Sequence, residues 1–439
     1  MQWAMIADDL TGANDSGVHL AKDGHQTTVV MDVAAMENEH PEALVIDTDS
    51  RLLAPDQAYE RVKRAAIYTK KRAAHIVFKK MDSTFRGNVG SELDAMYDVY
   101  TPDFVVLAPA FPDNGRTMRD GFYAVHGQPL HESDAARDPA TPVYESYIPK
   151  LLQQQTKQQV HLFRTQDLQD EQRFIAQLTN CAAKQQRYLL FDAETTADLA
   201  LCVKRMTQFG GRIVWAGSAG LAQVLSANHP IGSSEQGQNL VTRRRLPPLQ
   251  HSTGPVVTVC GSVHSQTQRQ LGYMLEFADT APVEVRGEVL LEQLVRGATD
   301  EIERATKQLN KDYRAGKHVV LHTCAEAASI QATADVAKQY GLNQIGSTIS
   351  TMLGEIIHKL IAGQQLQPSG LLLTGGDTAR KVCQQLGLTS FQLTNELEPG
   401  IPIGTFNGSM MIRGVTKSGG FGTTQSMRTA IDKLEEEGT

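Results

Sequence analysis

Short apolar runs alternate with amphipathic stretches along most of this chain. Trp3–Ala7 and residues 27–31, 43–46, 75–78 and 104–108 are apolar or β-branched and read as buried strands. Residues 16–22, 55–72 and 89–99 carry helical spacing, with Pro55 suited to a first helical turn. The rhythm continues with a helix over 143–155, a strand over 160–163, a helix over 171–183, a strand over 188–191, a helix over 196–207 and a strand over 213–215. That strand runs into Gly217-Ser218-Ala219-Gly220 and a helix to Leu225. Residues 120–142 are polar without periodicity and read as one long loop. From 229 to 254 the pattern breaks, with Pro230, Gly232, Arg243-Arg244-Arg245 and Pro247-Pro248. This stretch reads as a linker or crossover.

Beyond the break, strands are expected over 256–259, 318–322 and 371–373, and a short one over 410–412. Helices are expected over 266–277, 301–314, 331–339, 347–361 and 379–386. The pattern therefore predicts two α/β domains with mainly parallel sheets, 1–228 and 255–439, joined by residues 229–254. No internal repeat is visible.

Composition narrows the function classes. A chain of 439 residues exceeds what one hydrophobic core usually serves, in keeping with two domains. A net charge of −7 gives no reason to expect nucleic acid or an anionic membrane as partner. The five cysteines, Cys181, Cys202, Cys260, Cys324 and Cys383, are scattered with apolar neighbours and no C-x-x-C pair, as in a reduced compartment. The first residues lack a signal-peptide pattern, and no apolar run approaches the roughly 18 residues of a membrane helix. A cytoplasmic protein is the expectation.

Strand ends carry the candidate chemistry. The first strand runs into Asp8-Asp9-Leu10-Thr11-Gly12-Ala13-Asn14-Asp15, and the third into Asp47-Thr48-Asp49-Ser50-Arg51. The next ends in Lys79-Lys80-Met81-Asp82-Ser83-Thr84-Phe85-Arg86-Gly87-Asn88 just before a helix, and residues 109–117 add Asp113 and Arg116. Parallel strands place such turns on one rim. Carboxylates there can hold sugar hydroxyls or act as general base, and Arg or Lys can grip a carboxylate, so the set suits a small, hydroxylated anion. Asp15 and Asp113 read as helix caps. In the second half, Thr374-Gly375-Gly376-Asp377-Thr378, Lys417-Ser418-Gly419-Gly420-Phe421-Gly422 and Gly261-Ser262 are glycine-rich turns after strand-like runs. Three such turns favour a nucleotide's phosphates, although Asp377 also fits an N-cap. The dinucleotide G-x-G-x-x-G and the P-loop fingerprint are both absent, and no metal-ligand spacing of histidines occurs.

The strings Ile6-Ala7-Asp8-Asp9-Leu10-Thr11-Gly12-Ala13, Lys80-Met81-Asp82-Ser83-Thr84-Phe85-Arg86-Gly87-Asn88 and Pro109-Ala110-Phe111-Pro112-Asp113-Asn114-Gly115-Arg116-Thr117 resemble the four-carbon acid sugar kinase family. Gly375-Gly376-Asp377-Thr378 and Lys417-Ser418-Gly419-Gly420-Phe421-Gly422 are similar to that family's nucleotide-binding domain, so the resemblance spans the chain. It implies a sugar-acid domain and an ATP domain with the substrate cleft between them, closing about the linker, and transfer of phosphate to a terminal hydroxyl. Asp8, Arg51, Lys80, Met81, Asp82, Ser83 and Thr84 become substrate contacts, with Arg116 added from the rim. Ser262 or Ser265, Gly375, Gly376, Asp377, Thr378, Gly419 and Gly420 become ATP contacts. Mg2+ would ride on the phosphates with few protein ligands. Lys80 or Arg86 would offset charge on the transferred group, and Asp8 or Asp9 would orient or deprotonate the attacking hydroxyl.

Within the family, the Lys-x-Asp-Ser-Thr-x-Arg-Gly form resembles threonate or erythronate kinases more than 3-oxo-tetronate kinases. D-threonate is the first expectation and D-erythronate the second, with a homodimer admissible. Two other readings stay open. Gly375-Gly376-Asp377-Thr378 is also similar to turns of phosphofructokinase-like and NAD kinase-like enzymes, and a two-domain sugar-acid sensor would bind without nucleotide.

Overall fold

The structure is a computed structural model that describes residues 1–32, 41–138, 141–229 and 253–436. Two compact units emerge, Met1–Val241 and Thr242–Thr439. Residues 230–252 of the expected linker, with the Arg243-Arg244-Arg245 run, lie outside the described residues.

The strands of the first unit are β1 (Trp3–Ala7), β2 (Thr27–Val30), β3 (Ala43–Asp47), β4 (Ile76–Lys80), β5 (Phe104–Ala108), β6 (Arg116–Arg119), β7 (Phe122–Val125), β8 (Gln128–Pro129), β9 (Val160–Phe163), β10 (Tyr188–Phe191) and β11 (Ile213–Gly217). Its helices are α1 (Leu10–Lys22), α2 (Pro55–Lys70), α3 (Val89–Tyr100), α4 (Ile148–Gln153), α5 (Thr165–Gln169), α6 (Glu171–Ala183), α7 (Thr196–Phe209) and α8 (Ala219–Asn228). Neighbouring strands run in the order β2-β3-β1-β4-β11-β5-β10-β9, all parallel. Every residue of β1, β3, β4 and β5 is buried, as expected of strands covered on both faces. Leu44, Ile46, Val77, Val105 and Leu107 meet Val62, Ala66, Leu93 and Met96 in one core.

Three local expectations are corrected. Helix α1 begins at Leu10, not at 16, because the N-cap is Asp9, whose side chain accepts from the Gly12 N–H, and Asp15 lies inside the helix. The stretch 120–142 is no plain loop, since β6, β7 and β8 form an antiparallel sheet. Asp120 and Gly121 both have positive φ (48° and 80°), the two-residue turn that suits the twist of a hairpin. Helix α4 is shorter than 143–155 because Pro149 stands in its first turn and Tyr147 bridges to Phe122.

The second unit contains β12 (Val257–Cys260), β13 (Thr280–Val285), β14 (His318–Thr323), β15 (Leu371–Thr374), β16 (Leu388–Glu398), β17 (Ile401–Gly408) and β18 (Ile412–Lys417). Its helices are α9 (Ser265–Met274), α10 (Gly287–Arg296), α11 (Asp300–Arg314), α12 (Ala327–Gln339), α13 (Ile345–Ile361), α14 (Gly376–Gln385) and α15 (Ser426–Glu436). Strands β13-β14-β12-β15-β18 are parallel, and β17 and β16 continue antiparallel. The long β16–β17 hairpin turns at Pro399-Gly400, in a stretch where no strand was expected. Val256, Leu271, Val320, Leu372, Val415, Met427 and Ile431 share the core of this unit.

Candidate functional site

Register brings the polar turns of the first unit to one edge. Ala7 pairs with Asp47 and Lys80, Lys80 with Gly217, and Gly217 with Ala108, so the chain leaves each strand at the same level. Arg51 is the hub of what gathers there. Its Nε donates to Asp8 Oδ2 at 2.7 Å, and its Nη2 lies 2.8 Å from Asp9 Oδ1 and 3.5 Å from Asp82 Oδ1. Asn88 holds the turn in place by donating to the Leu53 and Ser50 carbonyls.

Burial opposes ionisation of Asp8, but the Arg51, Lys79 and Lys80 charges outweigh it and hold the carboxyl below its usual range. Asp82 behaves the same way, with Arg51 and Arg86 holding it well below that range against burial. Both are therefore carboxylates at neutral pH. Asp8 Oδ1 is buried and has no hydrogen-bond partner among the described residues, an unmet acceptor at the centre of the cluster.

The expected residues take unequal parts. Arg51, expected to grip a substrate carboxylate, has its Nε and Nη2 already turned to carboxylates of the protein. Arg86 is likewise engaged, with Nε and Nη2 on Asp82 and Nη1 on Asp138 at 3.0 Å, so its charge is spent on holding Asp82. Asp9 accepts from both Gly12 and Arg51. Lys80 differs, being buried with its ammonium making one hydrogen bond among the described residues, to the Met81 carbonyl at 2.8 Å. Two of its three protons remain to be met. Met81, expected as a substrate contact, has its side chain in the core and only its backbone at the edge. Thr84 donates N–H and hydroxyl to Asp82, while the Ser83 carbonyl accepts from Tyr123 Oη. Arg116 lies outside the Arg51 ion-pair network, with Nη1 on the Asn114 carbonyl and a buried Nε that has no partner among the described residues.

One neighbouring feature escapes sequence reading. Lys79 and Glu92 form a buried ion pair at 2.7 Å, and Ser50 donates to the same carboxylate at 2.5 Å. Lys79, counted among the rim cations that could grip an anion, instead fastens β4 to α3 and to the turn that carries Arg51. Its place directly after the apolar run 75–78, in a strand buried along its whole length, was the available signal.

In the second unit, Cys260 pairs with Thr374 and Thr374 with Lys417, so the three glycine-rich turns leave one edge side by side. A Cβ at Gly419 would meet Ser262 Oγ at 2.5 Å and His264 Cβ at 3.0 Å, and one at Gly375 would meet Thr378 Oγ1 at 3.4 Å and Ser262 Cβ at 3.8 Å. Ser262, Gly375, Thr378, Gly419 and Gly420 are thereby brought together. The N-cap of α14 is Gly375, not Asp377, which sits in the first turn, and Gly375 offers no side chain to the first N–H groups. Thr374 Oγ1 beneath is buried and has no partner among the described residues. Ser265 is exposed at the start of α9, where His264 supplies the cap. Helix α9 holds the last turn, with Gln266 donating to the Gly422 carbonyl, Thr267 to Gly419 and Gln270 to Phe421 and Thr423. The sequence reading missed these side chains.

Among the described residues, no three His, Cys, Asp or Glu side chains are grouped to hold a metal, and no helix is long and apolar enough to cross a membrane.

Residues 3–225 match the sugar-binding N-terminal domain family, and residues 257–427 match the nucleotide-binding C-terminal domain family. The two matches divide the chain into a half of the sugar-binding domain family and a half of the nucleotide-binding domain family. A D-threonate kinase of Salmonella typhimurium is 33% identical over 99% of both chains, and a D-erythronate kinase of Heliobacterium modesticaldum is 30% identical over 98% of this chain and 96% of that protein. A solved structure of a Haemophilus influenzae protein matches with a TM-score of 0.73 and 26% identity, covering 98% of this chain and 99% of that one. The chain belongs to the four-carbon acid sugar kinase family and is a sugar-acid kinase.

Proposed function

We propose that this chain transfers the γ-phosphoryl group of ATP to the terminal hydroxyl of a four-carbon sugar acid, with D-threonate the first substrate and D-erythronate the second. Residues 1–228 take the sugar acid and residues 255–439 the nucleotide. The observation that carries the reading is the unmet Asp8 Oδ1 beside a buried Lys80 with protons to spare. An acceptor and a cation together suit a molecule that is both alcohol and carboxylate. The relatives named D-threonate kinase and D-erythronate kinase support the same choice.

Asp8 accepts a substrate hydroxyl and orients it. Held below the usual carboxylate range, it is a weak base, which suits a reaction whose loose transition state asks for positioning more than for early deprotonation. Lys80 meets the substrate's negative charge, and the Ser83 hydroxyl lies on the same turn. The glycine-rich turns of the second unit hold the phosphates on backbone N–H groups. Mg2+ bound with the nucleotide would supply charge neutralisation, and Asp377 is the carboxylate of that turn that would hold it.

The test is ADP release over a panel of D-threonate, D-erythronate, 3-oxo-tetronate and the neutral alcohol threitol. D-threonate should lead, with threitol lower by roughly thirtyfold or more, the usual loss when a buried charge pair goes unmade. Lys80→Met should bring the acid down towards the alcohol. Equal efficiency for acid and alcohol in the wild type would overturn the sugar-acid reading.

A further inference from the structure

Lys417, the last residue of β18, is 3% exposed, and no carboxylate of the described residues lies within ion-pair distance of its ammonium. Burial pushes that ammonium down to about 8. Its Nζ donates to the Ser418 carbonyl at 2.8 Å, the Gly419 carbonyl at 3.3 Å and Thr267 Oγ1 at 3.4 Å, which uses all three protons. Thr267, also buried, donates its own hydroxyl to the Gly419 carbonyl at 2.7 Å. Two consecutive carbonyls are thus turned inward onto one buried cation.

A trans peptide points its N–H opposite to its C=O. With the Ser418 and Gly419 carbonyls inward, the N–H groups of Gly419 and Gly420 face the other way. Among the described residues neither N–H donates to any acceptor. The main chain of Lys417 also accepts from the Gly375 N–H at 2.9 Å, so one residue registers two of the three glycine-rich turns. Buried charges are ordinarily paired, and an anion on the outer face of these peptides would supply the missing counter-charge.

We propose that Lys417 and Thr267 are positioning residues for the nucleotide, holding the peptides on either side of Gly419 so that the Gly419 and Gly420 N–H groups form a donor pair for a phosphate oxygen. This rests on the reading of the second unit as the ATP site. Neither residue reaches the ligand, and both act through the backbone they orient.

The test compares ATP with adenosine by calorimetry on the full chain, in wild type, Thr267→Val, Thr267→Ser and Lys417→Met. Thr267→Val should weaken ATP roughly tenfold, the loss of one well-made hydrogen bond, while adenosine stays within about twofold. Thr267→Ser should restore ATP affinity. Lys417→Met should weaken ATP further and flatten its dependence on pH near 8. The titratable groups acting on that ammonium are Cys260, pushed up to about 11 by burial, and Glu398. A folded Thr267→Val with wild-type ATP affinity would overturn the proposal, as would equal losses for ATP and adenosine. If Lys417→Met does not fold, the two Thr267 variants decide. Wild-type protein without ATP affinity would instead sink the functional reading itself.

Discussion

Arg51 stands among Asp8, Asp9 and Asp82, which would repel one another without it. Its side chain is only 14% exposed, so the screening that weakens surface pairs applies little here. Replacing it by Leu leaves buried carboxylates uncompensated, and the expected cost at pH 7 is roughly 3–5 kcal/mol. The pH dependence has a definite sign. Against burial, Arg51 and Arg86 depress Asp82 below its reference of 3.8. That stabilisation is fully present above the unfolded value and fades as pH falls through the folded one. Urea midpoints of wild type and Arg51→Leu should differ most at pH 7 and converge as the pH drops below about 4. A gap that stays constant with pH would mean that Arg51 stabilises by packing alone.

At the scale of single elements, α1 joins fold to chemistry through Gly12. A Cβ there would come within 2.7 Å of Asp9 Oδ1 and 2.8 Å of Lys80 Nζ. Ala is the better helix former by about 1 kcal/mol, but the displaced Asp9 carboxylate caps α1 and pairs with Arg51, and the Lys80 side chain is buried, so the displacement opposes that gain. Gly12→Ala should therefore lower the melting temperature slightly. The same shift moves the Lys80 ammonium, so efficiency on D-threonate should fall by about tenfold or more. Unchanged kinetics in this variant would remove Lys80 from the substrate's surroundings. The Asp8-Asp9 turn and the Lys80 turn were legible in the sequence because strand ends in parallel sheets share a rim. What those residues do to one another was not, since Arg51 reaches Asp82 only through the register of β3, β1 and β4. Other misses had local signals. Asp120-Gly121 between residues of alternating burial is a hairpin signature, and His126-Gly127 repeats it with φ of 49° and 79°. Both were submerged in a polar stretch. Pro399-Gly400 marks the β16–β17 turn likewise. The side chains of α9 that hold the last glycine turn could not be read, because their partners lie about 150 residues away.

Across the whole molecule, the net charge of −7 opposes the approach of two anionic ligands, so affinity has to arise from buried local groups. Two compact units with separate cores carry two such sets of groups. A ligand that binds only the native state suppresses opening by RT ln(1 + [L]/Kd), about 2.7 kcal/mol at a hundredfold excess over Kd. Backbone amides that exchange through local opening should slow most where contacts form. Hydrogen exchange on the full chain, with each ligand added alone, should therefore separate the two sites. D-threonate should protect peptides covering 8–14 and 80–88, which carry Asp8, Gly12, Lys80 and Ser83. ATP with Mg2+ should protect 262–270, 375–380 and 417–422, and the Thr267→Val variant should lose protection at 417–422 before the others. Slowing of 417–422 by D-threonate alone, with 80–88 untouched, would reverse the assignment of acid and nucleotide to the two units.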